Sequence, residues 1–587
     1  MIAILQTENV KSRTFGWVQN PSNFRSLCNV VAVFDPNSLK HSEIKDTVIP
    51  SLVTLENGRN ELVAALNANP LSISYLHLVG TGKSVRATAP CNAIVQATVP
   101  GQGCKQFTDN WTADGFVRWA HCLGFIKYEY ADDTFSITES GLSLSAVPGA
   151  GEQLSCEEHR ILVDAMLSYP PAIRVLSLLS EEDAHLTKFE IGKQLGFTGE
   201  GGFTSMPQSV FIRSLSGITD NFEKTNMRNN WEGSSDKYAR MIATWLTKLG
   251  LVSKVSKSIT VSVGAKSYTE NIGQAFMITA RGMTALRRAR GVSRHNRVNK
   301  TVCYEMLATK GADREYLRTR RGLLIKSLSE RNGAITADEL VASLAIHNIT
   351  ATKEVVRDDV QGFINIGLDV DADGYNFTWR DRINGFIIPV RSGVIQSSIE
   401  QKKDALREEI THISHDYLSL VDLAYDNTQN RLFEMKTLQL LTEECGYGGL
   451  HLGGSRKPDG IIYTDGLVDN YGVIIDTKAY SGGYNLPISQ ADEMQRYVQE
   501  NQRRDVQENP NKWWEYFGAD VRRFYFMFVS GHFTGRYRDQ IDRVSRITNT
   551  KGVAVEICNL LLTANEIKNC TRSFADVEGQ IINDAVI

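Results

Sequence analysis

Gly454–Gly460, GSRKPDG, followed by Val473–Tyr480, VIIDTKAY, decides how the C-terminal part of this chain is read. An acidic residue follows a proline, and an Asp-x-Lys lies about a strand's length further on. An apolar strand has no structural use for two charges at its end. In YGVIIDTKAY (Tyr471–Tyr480) alternate residues point to opposite faces, so Ile474, Asp476 and Lys478 share one face. Asp459 opens the preceding strand in RKPDGIIY, and a hairpin through YTDGLVDN brings it beside Asp476. Two carboxylates that close repel each other and favour a divalent cation. Mg2+ takes one or two carboxylates, waters and phosphate oxygens. Lys478 then sits near an attacking water and the charge that develops on phosphorus. The same spacing also fits a surface hairpin with ordinary charges.

Outward from this stretch, helices alternate with apolar strands from residue 397 to 587, the pattern of an α/β domain. Pro389 and Gly393 break the chain just before it, which sets a linker at 385–396. A chain of 587 residues exceeds one core and predicts about three to five units. Upstream, one pattern recurs. A helix ends in Leu-Gly or Ile-Gly and a polar hairpin follows: LGFIKYEYADDTFSIT from Leu123, LGLVSKVSKSITVSV from Leu249 and IGLDVDADGYNFTW from Ile366. Glycine after a helix is the usual cap, and helices followed by a two-stranded wing describe winged helix-turn-helix units. Three unrelated helix–hairpin corners remain the alternative. The boundaries expected are 1–150, 151–300 and 301–384 for three such units; the resemblance described below implies base readout for the second and docking for the third. The fold class is thus multidomain, α-rich and α+β winged-helix DNA-recognition domains followed by an α/β nuclease domain.

Net charge is −3, so any nucleic-acid surface is a local patch. Residues 281–326 carry thirteen Lys and Arg against three Asp and Glu, which predicts phosphate contact there. No run approaches about 18 apolar residues, and the N-terminus lacks a secretory pattern. Nine scattered cysteines without a CxxC read as reduced thiols, with neither disulfides nor a zinc site. A cytoplasmic protein is expected, with no membrane partner. LVGTGKS lacks the first glycine of a P-loop, since position 77 is His77, so no ATP site is implied. His412 and His415 read as surface residues.

Several stretches resemble the FokI-type, type IIS restriction endonucleases. In the C-terminal part they are LHLGGSRKPDG, DTKAYSGGYNLP and QADEMQRYV. In the N-terminal part they are RTFGWVQNP, LVGTGKSVR, DNWTADGFVRWAH, SYPPAIRVL and RNNWEGSSDKYARM. The likeness runs from about residue 13 to the end and is weakest between 330 and 395. It implies an enzyme of the PD-(D/E)xK class that binds a short asymmetric duplex site, GGATG in this family, and cuts both strands at a fixed distance using Mg2+. The implied catalytic set is Asp459, Asp476 and Lys478. Metal ligands would be Asp459, Asp476 and the backbone carbonyl of Thr477, with Glu434 resembling the family's helical glutamate near the metal. The implied base readers are Gln19, Asn20, Arg86, Gln102 and Trp111 in the first unit, and Asn229, Glu232, Lys237 and Arg240 in the second.

NLPISQADEMQRYVQENQ reads as a helix in which Asp492 and Arg496 stand i, i+4. The plain reading is an intrahelical ion pair worth about 0.3–0.5 kcal/mol. The family implies instead a pair across a two-fold axis, joining two copies on DNA that are monomeric when free. Gln499 departs from the family, which has Glu there. The resemblance further implies a cleavage domain docked on the recognition half until a site is bound. It also implies a separate methyltransferase guarding host sites, without a stable complex. A nicking enzyme, or a DNA-binding regulator with an inactive nuclease fold, are the rival readings; retained Asp492 and Arg496 oppose the first, and retained Asp459, Asp476 and Lys478 the second.

Overall fold

Three helices end alike in the computed structural model, which describes residues 2–583 except 9, 10, 12, 82–89, 104, 148, 150, 217, 219, 264, 265, 293–295, 310 and 467. Asn110–Cys122, Lys237–Lys248 and Lys353–Asn365 are each followed by a glycine at positive φ: Gly124, Gly250 and Gly367. Two backbone bonds of 2.9–3.0 Å recur. The glycine N–H reaches the carbonyl of His121, Thr247 or Ile364. The next N–H reaches Ala120, Leu246 or Phe363. This paired cap satisfies helix-end carbonyls and turns the chain sharply.

A hairpin follows each turn: Ile126–Glu129 with Thr134–Ile137, Val252–Val263 with Lys266–Ile278, and Val370–Asp373 with Asn376–Trp379. In each case the return strand also pairs with a short strand that leads into an earlier helix, so three sheets share one order. Ser74, Thr187 and Thr336 cap those earlier helices through their side chains. One buried phenylalanine of each return strand faces an aliphatic residue: Phe135 with Ile73, Phe276 with Leu186, Phe377 with Ile335. Unrelated corners would not repeat the cap, the strand order and the aromatic plug together. These are three winged-helix units.

Five of the thirteen cations of 281–326 are paired within the fold. Arg288 pairs with Asp164 at 2.8 Å, Arg297 with Asp369 at 2.5 Å and Lys300 with Asp381 at 2.5 Å. Arg320 and Arg321, both buried, share Asp359 at 2.7 Å. Burial opposes ionisation of Asp359, but the two guanidinium charges outweigh it and hold its carboxyl down at about 2. In the DNA-free protein these five cations are thus paired with carboxylates.

The chain divides into two compact units. The first comprises Met1–Gly196, Lys237–Val255 and Gln274–Ile395. Its last strand, Ile387–Val390, lies inside the stretch read as a linker and runs parallel to Ala3–Gln6. The second comprises Phe197–Asp236, Ser256–Gly273 and Gln396–Ile587. It is built on a five-stranded sheet in sequential order: Gly448–His451, Gly460–Tyr463, Tyr471–Lys478, Arg523–Ser530 and Gly552–Glu556. The first three strands are antiparallel and the rest parallel. The central strand is buried on both faces. Val473 and Ile475 enter one hydrophobic cluster with Leu438, Met527 and Leu561, and Ile474 enters another with Phe526, Met494 and Trp513. Among the described residues no single helix is long and apolar enough to cross a membrane.

The repeated cap separates two glycine substitutions. At Gly124 (φ +76°) an added Cβ meets nothing nearer than Thr301 at 3.6 Å, so Gly124→Ala should cost only the left-handed penalty of about 1–2 kcal/mol. At Gly367 (φ +99°) the Cβ would lie 1.9 Å from the Pro170 carbonyl oxygen. Gly367→Ala should lower the melting temperature clearly further than Gly124→Ala; equal shifts in thermal unfolding would contradict this account.

Candidate active site

The register of the central hairpin builds the site. Gly460 pairs with Ile475, so the next step outward sets Asp459 against Asp476. Main-chain bonds from Leu452 and Gly453 to the Asp459 carbonyl, at 2.9 and 3.3 Å, fix that corner. The Asp459 carboxylate accepts bonds from the Thr477 N–H at 2.7 Å and the Thr477 hydroxyl at 3.0 Å. Asp476 is buried, and Lys478 Nζ donates to its Oδ1 at 2.7 Å. Asp476 Oδ2 is buried with no hydrogen-bond partner. Glu434, on the helix Asn430–Gln439, stands behind this group, with its Oε2 held by His451 Nε2 at 3.0 Å.

Electrostatics follow from the crowding. Burial pushes Asp459 up, and Asp476 and Glu434 push it further, well above the ordinary carboxylate value. Burial raises Asp476 too, although Lys478 pulls the other way. Burial works against the Lys478 charge, but Asp476 and Asp459 outweigh it and keep the ammonium above its usual value. Burial likewise opposes the Glu434 charge; the His451 hydrogen bond and the nearby charges of Lys478 and Arg431 outweigh it and hold the carboxyl below its usual value. An orphaned carboxylate oxygen beside a second carboxylate is relieved by a divalent cation, so the residues present fit one. Among the described residues no three His, Cys, Asp or Glu side chains form a cage for a metal ion. Waters and a phosphate oxygen would complete the coordination.

The residues expected to read DNA are distributed as follows. Asn20, Gln102 and Trp111 line one groove of about 830 Å³ in the first unit. Trp111, at the start of a winged-helix helix, is 46% exposed, and the side-chain oxygen of Asn20 is buried there without a partner. Gln19 lies next to Asn20 and bonds Tyr238. Arg86 falls outside the described residues. Lys237 and Arg240 begin the helix Lys237–Lys248 and are half-buried. Asn229 and Glu232 belong to the helix Asn221–Ser234 in the second unit, where Asn229 is exposed and Glu232 is buried. Asp492 and Arg496 are exposed on the helix Ile488–Arg503 but do not pair with each other. Asp492 binds Arg543 at 2.5 Å, and Arg496 binds Glu493 at 3.2 Å. Sequence reasoning missed two groups. The Thr477 hydroxyl and N–H carry no signal that ties them to Asp459. His451 lies in LHLGGSRKPDG, but no spacing ties it to Glu434; the structure sets it opposite Gly460, one residue from Asp459.

Winged-helix units in series with a sheet that bears two aspartates and a lysine define a type II restriction endonuclease. Residues 13–147, 158–293, 307–375 and 396–587 match family models for FokI: recognition domain subdomain 1, recognition domain subdomain 2, the D3 domain and the cleavage domain. The chain belongs to the FokI family of these enzymes. It is 46% identical to the type II restriction enzyme FokI of Planomicrobium okeanokoites, over 98% of this chain and 99% of that protein. It is 34% identical to StsI of Streptococcus sanguinis, over 99% and 97%. The structure of FokI bound to DNA superposes with a TM-score of 0.91, covering 98% of this chain and 99% of that one. FokI in a second structure gives 0.90, covering 97% and 99%.

A raised carboxyl pKa means that the folded site holds a proton the unfolded chain has already released. The drag on stability is therefore absent in acid and grows as pH rises above the ordinary carboxylate range. Without metal, Asp459→Asn should raise the melting temperature at pH 8 by about 2–4 °C, the equivalent of roughly 1 kcal/mol for a unit of this size. The gain should vanish near pH 4. Scanning fluorimetry in chelator at both pH values checks this.

Proposed function

We propose that this endonuclease binds a short asymmetric duplex site, GGATG being the sequence expected, and hydrolyses both strands at a fixed distance to one side with Mg2+. The observation that carries the reading is the convergence of Asp459, Asp476 and Lys478 at one end of a hairpin. Mg2+ held by Asp459, Asp476 and the Thr477 carbonyl, with Glu434 behind, would polarise the scissile phosphate and acidify a bound water. Thr477 fixes the direction of the Asp459 carboxylate. Lys478, pinned by Asp476, would donate to the attacking water or to the phosphate oxygen that gains charge. The groove with Asn20, Gln102 and Trp111, the helix start with Lys237 and Arg240, and Asn229 further along the helix Asn221–Ser234, would supply base and phosphate contacts.

One such site cuts one strand, so a double-strand break calls for a second copy. Asp492 and Arg496 are the proposed contacts between copies, and each would exchange its present partner for one on the other chain. Within the second unit, Phe197–Asp236 packs on the nuclease part: Gly201 N–H donates to Asp422 at 2.9 Å. This favours a cleavage domain held down until a cognate site is bound. A separate methyltransferase would protect host sites.

The test is supercoiled plasmid with one site, incubated with Mg2+. Linear product is expected. Open circles alone would mean a nickase, and no cutting would overturn the reading. Asp459→Ala should abolish cleavage and leave site-specific binding in place, as gel shift without Mg2+ would report. Asp492→Ala should lower double-strand cutting at nanomolar enzyme by about tenfold, the effect of losing roughly 1.4 kcal/mol at an interface. An unchanged rate at that dilution would rule out this contact.

A further inference from the structure

The helix glutamate of the site does not stand alone. His451, fully buried at the end of the strand Gly448–His451, faces Glu434 with Nε2 at 3.0 Å. If Nε2 carries the proton toward the carboxylate, Nδ1 is left as an acceptor. It takes the single Ser214 hydroxyl proton at 3.3 Å, for which the Val210 carbonyl at 2.9 Å and the His451 carbonyl at 3.3 Å are the competing acceptors. The Trp231 ring packs edge-on against the imidazole, 5.4 Å between centroids, and the Arg431 guanidinium lies 4.7 Å over that indole. The Glu434 carboxylate, the Ser214 hydroxyl and the Trp231 indole together hold the ring in this orientation. In that orientation its only contact with the catalytic group is through Glu434.

We propose that His451 is a positioning residue of the nuclease reaction. It holds the Glu434 carboxylate toward the metal-binding aspartates, and Ser214 and Trp231 lock the imidazole in the rotamer that does so. A ligand's hydrogen-bonded neighbour commonly matters about as much as the ligand's own orientation, and its loss costs roughly 10–100-fold in metal affinity or activity. Glutamine suits the same place, because its Nε2 amide can donate to Glu434 where the imidazole did, whereas alanine cannot.

This rests on the nuclease reading above, and the controls keep the two apart. If wild-type protein fails to cut, the reading itself fails; the inference is judged only where wild type cuts. Full-length His451→Ala and His451→Gln are compared with wild type in three measurements: single-turnover cleavage at saturating enzyme, Ca2+ titration of the uncleaved protein–DNA complex by calorimetry, and metal-free DNA binding. His451→Ala should cut about 10–100-fold more slowly and bind Ca2+ more weakly, with DNA binding unchanged. His451→Gln should recover most of both losses. Wild-type cutting and Ca2+ affinity in His451→Ala would overturn the proposal. So would equal losses in both variants with Ca2+ affinity unchanged, since that pattern marks a packing role only.

Discussion

Two carboxyl groups are forced together at the end of a hairpin by its register. Asp459 and Asp476 face each other because Gly460 pairs with Ile475, and that pairing is held by apolar packing on both faces of the central strand. A slip of one residue would turn Val473 and Ile475 toward the wrong cluster. The hydrophobic core therefore supplies the force that keeps the repulsion in place. Thr477 and Lys478 take up part of it, and a divalent cation supplies the rest. Chemistry and stability are opposed at this one corner and aligned elsewhere in the unit.

The recognition half uses a single local grammar three times. Glycine at positive φ ends a helix, the next N–H bonds back into the last turn, and the hairpin returns an aromatic ring beneath a short strand. The units differ in what they carry around this frame. The first presents a polar groove with an exposed tryptophan. The second has a hairpin three times as long as the others, with strands of 12 and 13 residues against 4. The third locks Arg320 and Arg321 around Asp359. A cation count alone would have assigned that last region to DNA.

Much of this was legible in the sequence because it depends on near neighbours. Period-two alternation places Asp476 and Lys478 on one face, and Leu-Gly before an alternating stretch marks a wing. Contacts that depend on remote segments were not legible. The spacing of Asp492 and Arg496 allows a pair, but Arg543 from a later helix takes the aspartate and Glu493 takes the arginine. Glu232, implied as a base reader, is buried. His451 meets Ser214 and Glu434, 237 and 17 residues away, and no periodicity connects such positions.

The parallel strand pair Ala3–Gln6 and Ile387–Val390 joins positions at opposite ends of the recognition half. Its two members are made far apart in time. At about 5–20 residues per second, a ribosome needs roughly 20–80 s to travel from the first to the second. Throughout that interval the leading strand has no template to dock against, while the units between fold in turn. The clasp is thus a late event of biosynthesis, fastened only as the nuclease portion begins to emerge.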